Sequence, residues 1–300
     1  MNQALQALFP ALRRSIGQMR NECAHADCPN RGLLSRIPQA RHGGVHFGGD
    51  WYCGAECFTA AARVRLAEIA SRRVAQMPRS PRLSLGLVLL SKGFLTAEQL
   101  RSAMEQTQLT GEDVGSAAVR LGYVTEKQVN IAHAAQWGYP VFASERTVRP
   151  VEAELPRVLL EACSAVPLHY SLAARRILLG FATRVEHRLL DAVEQMTGCR
   201  AEACFITASD FDEQREQMTQ PSGYEERVYE ESNETVRMAQ TLGRIAGEAG
   251  ASHVLFAECK GYIWTRMTGK RGTTDLLFPL AAPVSAPRLV WEPELVSAVG

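Results

Sequence analysis

An α+β, multi-domain chain is predicted by three features: two close cysteine pairs ahead of a helical stretch, a helix–turn pattern repeated at a constant offset, and a later alternation of apolar strand-like runs with amphipathic runs. The 300 residues are 46% hydrophobic and 22% charged, which excludes a disordered tail protein, a collagen-like fibre and a disulfide-stapled miniature. Lys and Arg number 33 against 32 Asp and Glu, but they are unevenly placed. Twelve arginines, no lysine and five acids give residues 1–82 a charge of +7, against −6 for the remainder. A basic front and an acidic back point to docking rather than to bulk nucleic-acid binding.

The longest apolar run, Leu83 to Leu90, is interrupted by Ser84 and Gly86 and falls short of the roughly 18 residues that cross a bilayer. The N-terminal stretch is amphipathic, is broken by Pro10 and has no signal-peptide core, so a cytoplasmic setting is expected. In a reducing compartment the eight cysteines are not a disulfide framework.

Cys23 and Cys28 form the first close pair; Cys53 and Cys57 form the second, inside Trp51-Tyr52-Cys53-Gly54-Ala55-Glu56-Cys57-Phe58. Two thiolate pairs so spaced can set four sulfurs tetrahedrally about one Zn²⁺. The second pair opens a helix expected over Cys57 to Val74, whose N-terminal dipole favours thiolates. Between the pairs, Gly32, Gly43, Gly44, Gly48 and Gly49 accompany Val45-His46-Phe47, which suits a short β-hairpin. His25, His42 and His46 are alternative ligands. Four protein ligands leave no open coordination position, so the zinc would be structural. The arrangement resembles a treble-clef zinc finger, with four residues inside the first pair where two are usual. This unit is assigned to residues 1–77, closed by Pro78 and Pro81.

Gly86 and Gly93 lie seven apart, as do Gly115 and Gly122, and the two sets are offset by 29 residues. Thr96 and Thr125, Gln99 and Gln128, and Leu100 and Val129 share that offset. Thr-x-x-Gln before an apolar-periodic run is a capping box, and Gly93 and Gly122 fit as helix stops. Each copy therefore reads as short helix, Gly stop and capped helix, an all-α repeat over 82–143. The pattern resembles the tandem cyclic-di-GMP-binding module at the N-terminus of MshE-type pilus and type II secretion ATPases. Its first copy matches at Leu85, Gly86, Leu89, Leu90, Gly93, Leu100 and Met104. The second matches at Val114, Gly115, Val119, Gly122, Val129 and Gln136, with His133 in the second Leu place. The resemblance implies that these residues line a cyclic di-GMP site. The module's Arg, however, is Ser84 in one copy and Asp113 in the other, which removes the charge-assisted phosphate contacts. Packing is therefore favoured over ligand binding.

In the next segment, Pro156 starts a helix through Cys163, Pro167 to Tyr170 and Ile177 to Phe181 read as strands, and Val185 to Met196 is an amphipathic helix stopped by Gly198. Cys199 to Ile206 is a further strand and Ser209 caps a last helix. This order resembles the general N-terminal domain of type II secretion E proteins, so 144–220 is assigned as an α/β sandwich-type domain. That resemblance implies docking to a membrane platform or a neighbouring subunit.

Glu225, Glu226, Glu230, Glu231 and Glu234 read as an acidic linker or helix face. A helix from Thr235 to Gly247 and strands at His253 to Glu258, Gly261 to Arg266 and Asp275 to Leu280 form a small α/β unit over 221–282, with Trp264 expected on the helix. Residues 283–300 read as a flexible tail.

The sequence has no Gly-x-x-x-x-Gly-Lys-Ser/Thr phosphate loop, no Gly-x-Gly-x-x-Gly, no Gly-x-Ser-x-Gly and no His-Glu-x-x-His. The expectation is a non-enzymatic adaptor whose partners are proteins such as a secretion or pilus ATPase or its platform. A cyclic di-GMP receptor is the second reading. Nucleic-acid binding through the finger and Arg63, Arg65, Arg72 and Arg73 is the third, ranked last because no exposed aromatics interleave them.

Overall fold

The computed structural model describes residues 23–30, 44–72, 83–142, 151–171, 173–229 and 234–280. The N-terminal amphipathic stretch, His42, Arg73, Pro78, Pro81 and the expected tail lie outside the described residues. In chain order the elements begin with β1 (Val45–Phe47), β2 (Asp50–Tyr52) and α1 (Ala55–Arg72). The helical pairs follow: α2 (Leu85–Ser91) with α3 (Ala97–Thr110), and α4 (Val114–Arg120) with α5 (Glu126–Trp137). Next come α6 (Arg157–Ala162), β3 (Ala165–Ser171), β4 (Arg176–Phe181), α7 (His187–Thr197), β5 (Arg200–Phe205) and α8 (Ala208–Gln217). The last are β6 (Tyr224–Val228), α9 (Thr235–Ala249), β7 (Ala251–Cys259), β8 (Tyr262–Gly269) and β9 (Gly272–Pro279).

Six strands form one mixed sheet in the order β2-β1-β7-β8-β9-β6, and β3-β4-β5 form a second. The β1–β2 hairpin turns at Gly48 and Gly49, both at positive φ, and β1 runs parallel to β7 through His46↔His253 and Phe47↔Val254. The front and back of the chain thus share one sheet, whereas the sequence boundaries at 77 and 221 set them in separate units. The physical reason is mutual burial. Phe58 and Leu66 of α1 are fully buried in one cluster with Met238 and Leu242 of α9 and Phe256, Ile263 and Phe278 of the sheet. The Phe47 ring lies 4.7 Å from Phe256 and 5.4 Å from Phe58.

Helix α1 approaches α9 closely because Gly243 and Gly247 of α9 face Thr59 and Ala55 of α1. A methyl at Gly243 would overlap the Thr59 hydroxyl, which is itself bonded to the Ala55 carbonyl at 2.7 Å. Replacing Gly243 with Leu is expected to cost about 1–3 kcal/mol through overpacking. Chemical denaturation checks this, and an unchanged midpoint would mean that the helices do not meet here.

The opposite face of the large sheet packs on α6 and α7, which in turn cover β4 and β5. Trp264 is fully buried in this second cluster with Leu159 and Leu189, not against α9 as the sequence led us to expect. Its neighbours Ile263 and Met267 face α1 and α9 instead, as alternation along β8 requires. Beyond the small sheet, Val166, Cys204 and Ile206 meet Phe211 of α8.

One polar network bridges the layers. Arg266 of β8 gives Nε to Asp275 Oδ1 at 2.9 Å and Nη2 to Oδ2 at 2.6 Å, and donates to the carbonyl of Met196 at the end of α7 at 3.3 Å and to that of Glu154. Tyr224 donates to Asp275 Oδ2 at 2.8 Å, and burial followed by the Asp275 charge pushes its phenol far above the usual range, so it stays a donor.

Two local readings are corrected. Glu225 and Glu226 of the acidic stretch lie in strand β6, and the Glu226 carboxylate accepts from the backbone N–H groups of Arg157 (2.8 Å) and Val158 (3.0 Å) and so caps α6, whose Pro156 offers no side-chain cap; Glu230 and Glu231 lie outside the described residues. Helix α8 is capped by Thr207, whose hydroxyl accepts from Asp210 N at 3.2 Å; Ser209 lies inside the helix and donates to Glu126 at 2.7 Å.

Candidate metal centre

Cys23 and Cys28 sit on a turn whose Cys28 N–H bonds the His25 carbonyl at 3.2 Å. Strand β2 delivers Cys53, and the first turn of α1 delivers Cys57. The hairpin therefore places the second pair, and the Ala24 N–H bond to the Trp51 carbonyl at 2.9 Å ties the first pair to it. The four Sγ atoms all lie within 4.8 Å of one another, with 3.4 Å between Cys28 and Cys53 and 3.8 Å between Cys53 and Cys57. A tetrahedron of sulfurs about 2.3 Å from zinc has edges of about 3.8 Å, so the donor set is close to the size such an ion needs. His25 and His46 are outside the cluster: His46 stacks on His253 at 5.0 Å.

The electrostatics favour a cation. Burial, and then the neighbouring thiols, push the Cys57 thiol well above its usual value, and burial raises Cys53 as well. For Cys23 burial also pushes upward, but the Cys53 and His25 N–H groups and the Cys28 and Cys57 thiols together hold it below the ordinary value. Four sulfurs at this spacing ionise together only around a positive charge. The Asn30 side chain points its amide at Cys53 Sγ, 3.8 Å away, which supports a thiolate there.

In the helical repeat, the residues expected to line a ligand site are largely spent on packing. Leu85, Leu89 and Leu100 are buried core residues; Leu90, Val114, Val119 and Val129 pack against them, while Met104 is about half exposed at 52%. A Cβ at Gly86 would stand 2.7 Å from Leu100 Cδ1, and one at Gly115 would stand 2.9 Å from Val129 Cγ1, so both glycines serve helix contact. Gly93 and Gly122 end their helices at φ 70° and 73°. Gln136 donates to the Leu83 carbonyl at 2.6 Å. Ser84 and Asp113 are helix N-caps: Asp113 Oδ1 accepts from Gly115 N at 2.9 Å and Ser116 N at 3.1 Å.

In the sequence, His133 stands only in a Leu-like place of the repeat. The structure buries it to 5% exposure, stacked on Phe205 of β5 at 5.6 Å, with no hydrogen-bond partner in the protein for either ring nitrogen. Burial lowers its pKa, and the Asp113 charge offsets this only in part. Native His133 is therefore neutral where the unfolded chain binds a proton. Stability present above the unfolded value, about 6.5, falls as pH drops below it toward the depressed native value. His133→Leu is expected to stabilise by about 1–2 kcal/mol and to flatten that slope in melts from neutral to mildly acidic pH. A variant with the same slope would assign the pH dependence elsewhere.

No family model matches the chain. The type IV pilus assembly ATPase PilB of Thermus thermophilus is 28% identical over 129 residues, which make up 42% of this chain and 14% of that protein's length. Among solved structures, MshE with cdg is 20% identical with a TM-score of 0.38, covering 45% of this chain and 99% of that one. The N-terminal domain of XpsE is 22% identical with a TM-score of 0.35, covering 48% and 99%. The chain thus pairs a stretch similar in sequence to a pilus assembly ATPase with a four-cysteine cluster fit for a metal ion.

Proposed function

We propose that the chain is a non-catalytic adaptor that works by docking to other proteins, in the way the front region of secretion and pilus ATPases does, and that a structural zinc held by Cys23, Cys28, Cys53 and Cys57 fixes its shape. The observation that carries this reading is that the likeness to PilB is confined to 129 residues, 14% of that ATPase, while the 300 residues contain no phosphate-binding loop. Among the described residues, the deeply buried ion pair Arg266–Asp275 is spent on joining layers. No helix among the described residues is long and apolar enough to cross a membrane.

A partner in this reading is a secretion or pilus ATPase or its platform protein. Cyclic di-GMP binding stands second: the Asp113 carboxylate caps α4 at a position where the phosphates of such a ligand would meet an Arg in the related module. Nucleic-acid binding stays last, since Arg65 is already paired with Glu68 at 2.8 Å. The purified chain is expected to hydrolyse no ATP above background, to give no saturable heat with micromolar cyclic di-GMP and to form a complex with a purified pilus ATPase or platform subunit. ATP turnover that survives repurification would overturn the adaptor reading, and a one-to-one cyclic di-GMP isotherm would replace it with the receptor.

A further inference from the structure

Four cysteines lie outside the metal cluster. Cys199 and Cys204 each point their sulfur at a backbone carbonyl, of Thr197 and Leu179. Cys163 and Cys259 are different: they are 96 residues apart in sequence, yet their sulfurs are 3.7 Å apart. Cys163 is the C-terminal cap of α6 and Cys259 is the last residue of β7, so the pair spans the boundary between the layer containing α6 and the six-stranded sheet. Both are buried, at 5% and 0% exposure, in the cluster that contains Trp264. Each is followed by an exposed non-glycine residue in the left-handed region, Ser164 at φ 49° and Lys260 at φ 48°. Such positions are strained, and opening these surface turns gives a reagent a route to the sulfurs.

We propose that Cys163 and Cys259 are a redox-responsive thiol pair, oxidised by small-molecule disulfides to a cross-link that staples α6 to the end of β7. Cys163, the less buried of the two, loses its proton to solvent and attacks one sulfur of a disulfide such as glutathione disulfide, forming a mixed disulfide and expelling one thiolate. Cys259 then loses its proton to solvent, attacks the protein sulfur of the mixed disulfide and expels the second thiolate; the two expelled thiolates take up two protons from solvent. The two protein thiols lose two electrons in total, and the small disulfide is reduced to two thiols. Until that step the hydrogen bond to Cys163 and burial keep Cys259 protonated. The sulfurs must close from 3.7 Å to about 2.0 Å, and the resulting loop constrains the unfolded chain.

The full chain as purified is incubated with glutathione disulfide, denatured in an alkylating reagent, and mapped without reduction by mass spectrometry. The expected result is a peptide pair joining Cys163 to Cys259, lighter by two hydrogens and abolished by dithiothreitol. The melting temperature should rise by several degrees, with no metal released. In Cys259→Ala, the mixed disulfide should accumulate on Cys163; should that variant not fold, the wild-type map decides alone. Full alkylation of both residues, or a wild-type protein that stops at the mixed disulfide, would overturn the proposal.

Discussion

Cys57→Ser is expected to loosen α9 and the strands β7 to β9 as well as the finger. The substitution removes one of four sulfurs that lie within 4.8 Å of one another and releases the start of α1 from the hairpin. Structural zinc in small fingers contributes on the order of 10 kcal/mol to folding. Here that contribution would be passed on, because α1 buries Phe58 and Leu66 against α9 and β1 extends the sheet at β7. The expected outcome is a fall in melting temperature of more than about 10 °C, together with loss of about one equivalent of zinc per chain. Metal-free protein that keeps its full melting temperature would show that the four sulfurs hold no structural ion.

Arg266→Met is expected to cost about 3–5 kcal/mol, because it leaves the Asp275 carboxylate at 0% exposure without its charged partner. The Met196 and Glu154 carbonyls and the Trp264 ring, 5.2 Å below the guanidinium, lose their cation as well. Removing both charges at once, in Arg266→Met with Asp275→Leu, should recover most of the loss, since a paired burial replaced by apolar groups is close to neutral. Urea denaturation of the two variants decides. A double variant as unstable as the single one would mean that packing around the guanidinium, rather than the stranded charge, sets the cost.

Local features of the chain were legible in its sequence. The cysteine spacing led directly to the cluster, the two Thr-x-x-Gln boxes are formed as capping boxes at Thr96 and Thr125, and the Gly-rich loop holds the hairpin. What escaped was pairing at long range. Nothing in Val45-His46-Phe47 names β7 as its parallel partner some 200 residues later, because strand pairing depends on which faces are buried together. Strand β8 carries Ile263, Trp264 and Met267 on two buried faces, so apolar character alone does not tell which side Trp264 takes. The Glu226 cap on α6 was hidden for a similar reason: an acidic run reads as solvated until the helix end that it serves is known. Ser84 and Asp113 escaped too: read only as positions that lack the module's Arg, they are the N-caps of α2 and α4.

Hydrogen exchange followed by mass spectrometry, on the chain before and after a zinc chelator, tests the shared unit most directly. With the metal removed, amides of β7, β8, β9 and α9 should lose protection together with residues 44–72, while the helical repeat at 83–142 keeps its own. Faster exchange confined to residues 23–72, with β7, β8 and β9 unchanged, would contradict the claim that one metal centre holds residues 44–72 and 235–279 in a single folded unit.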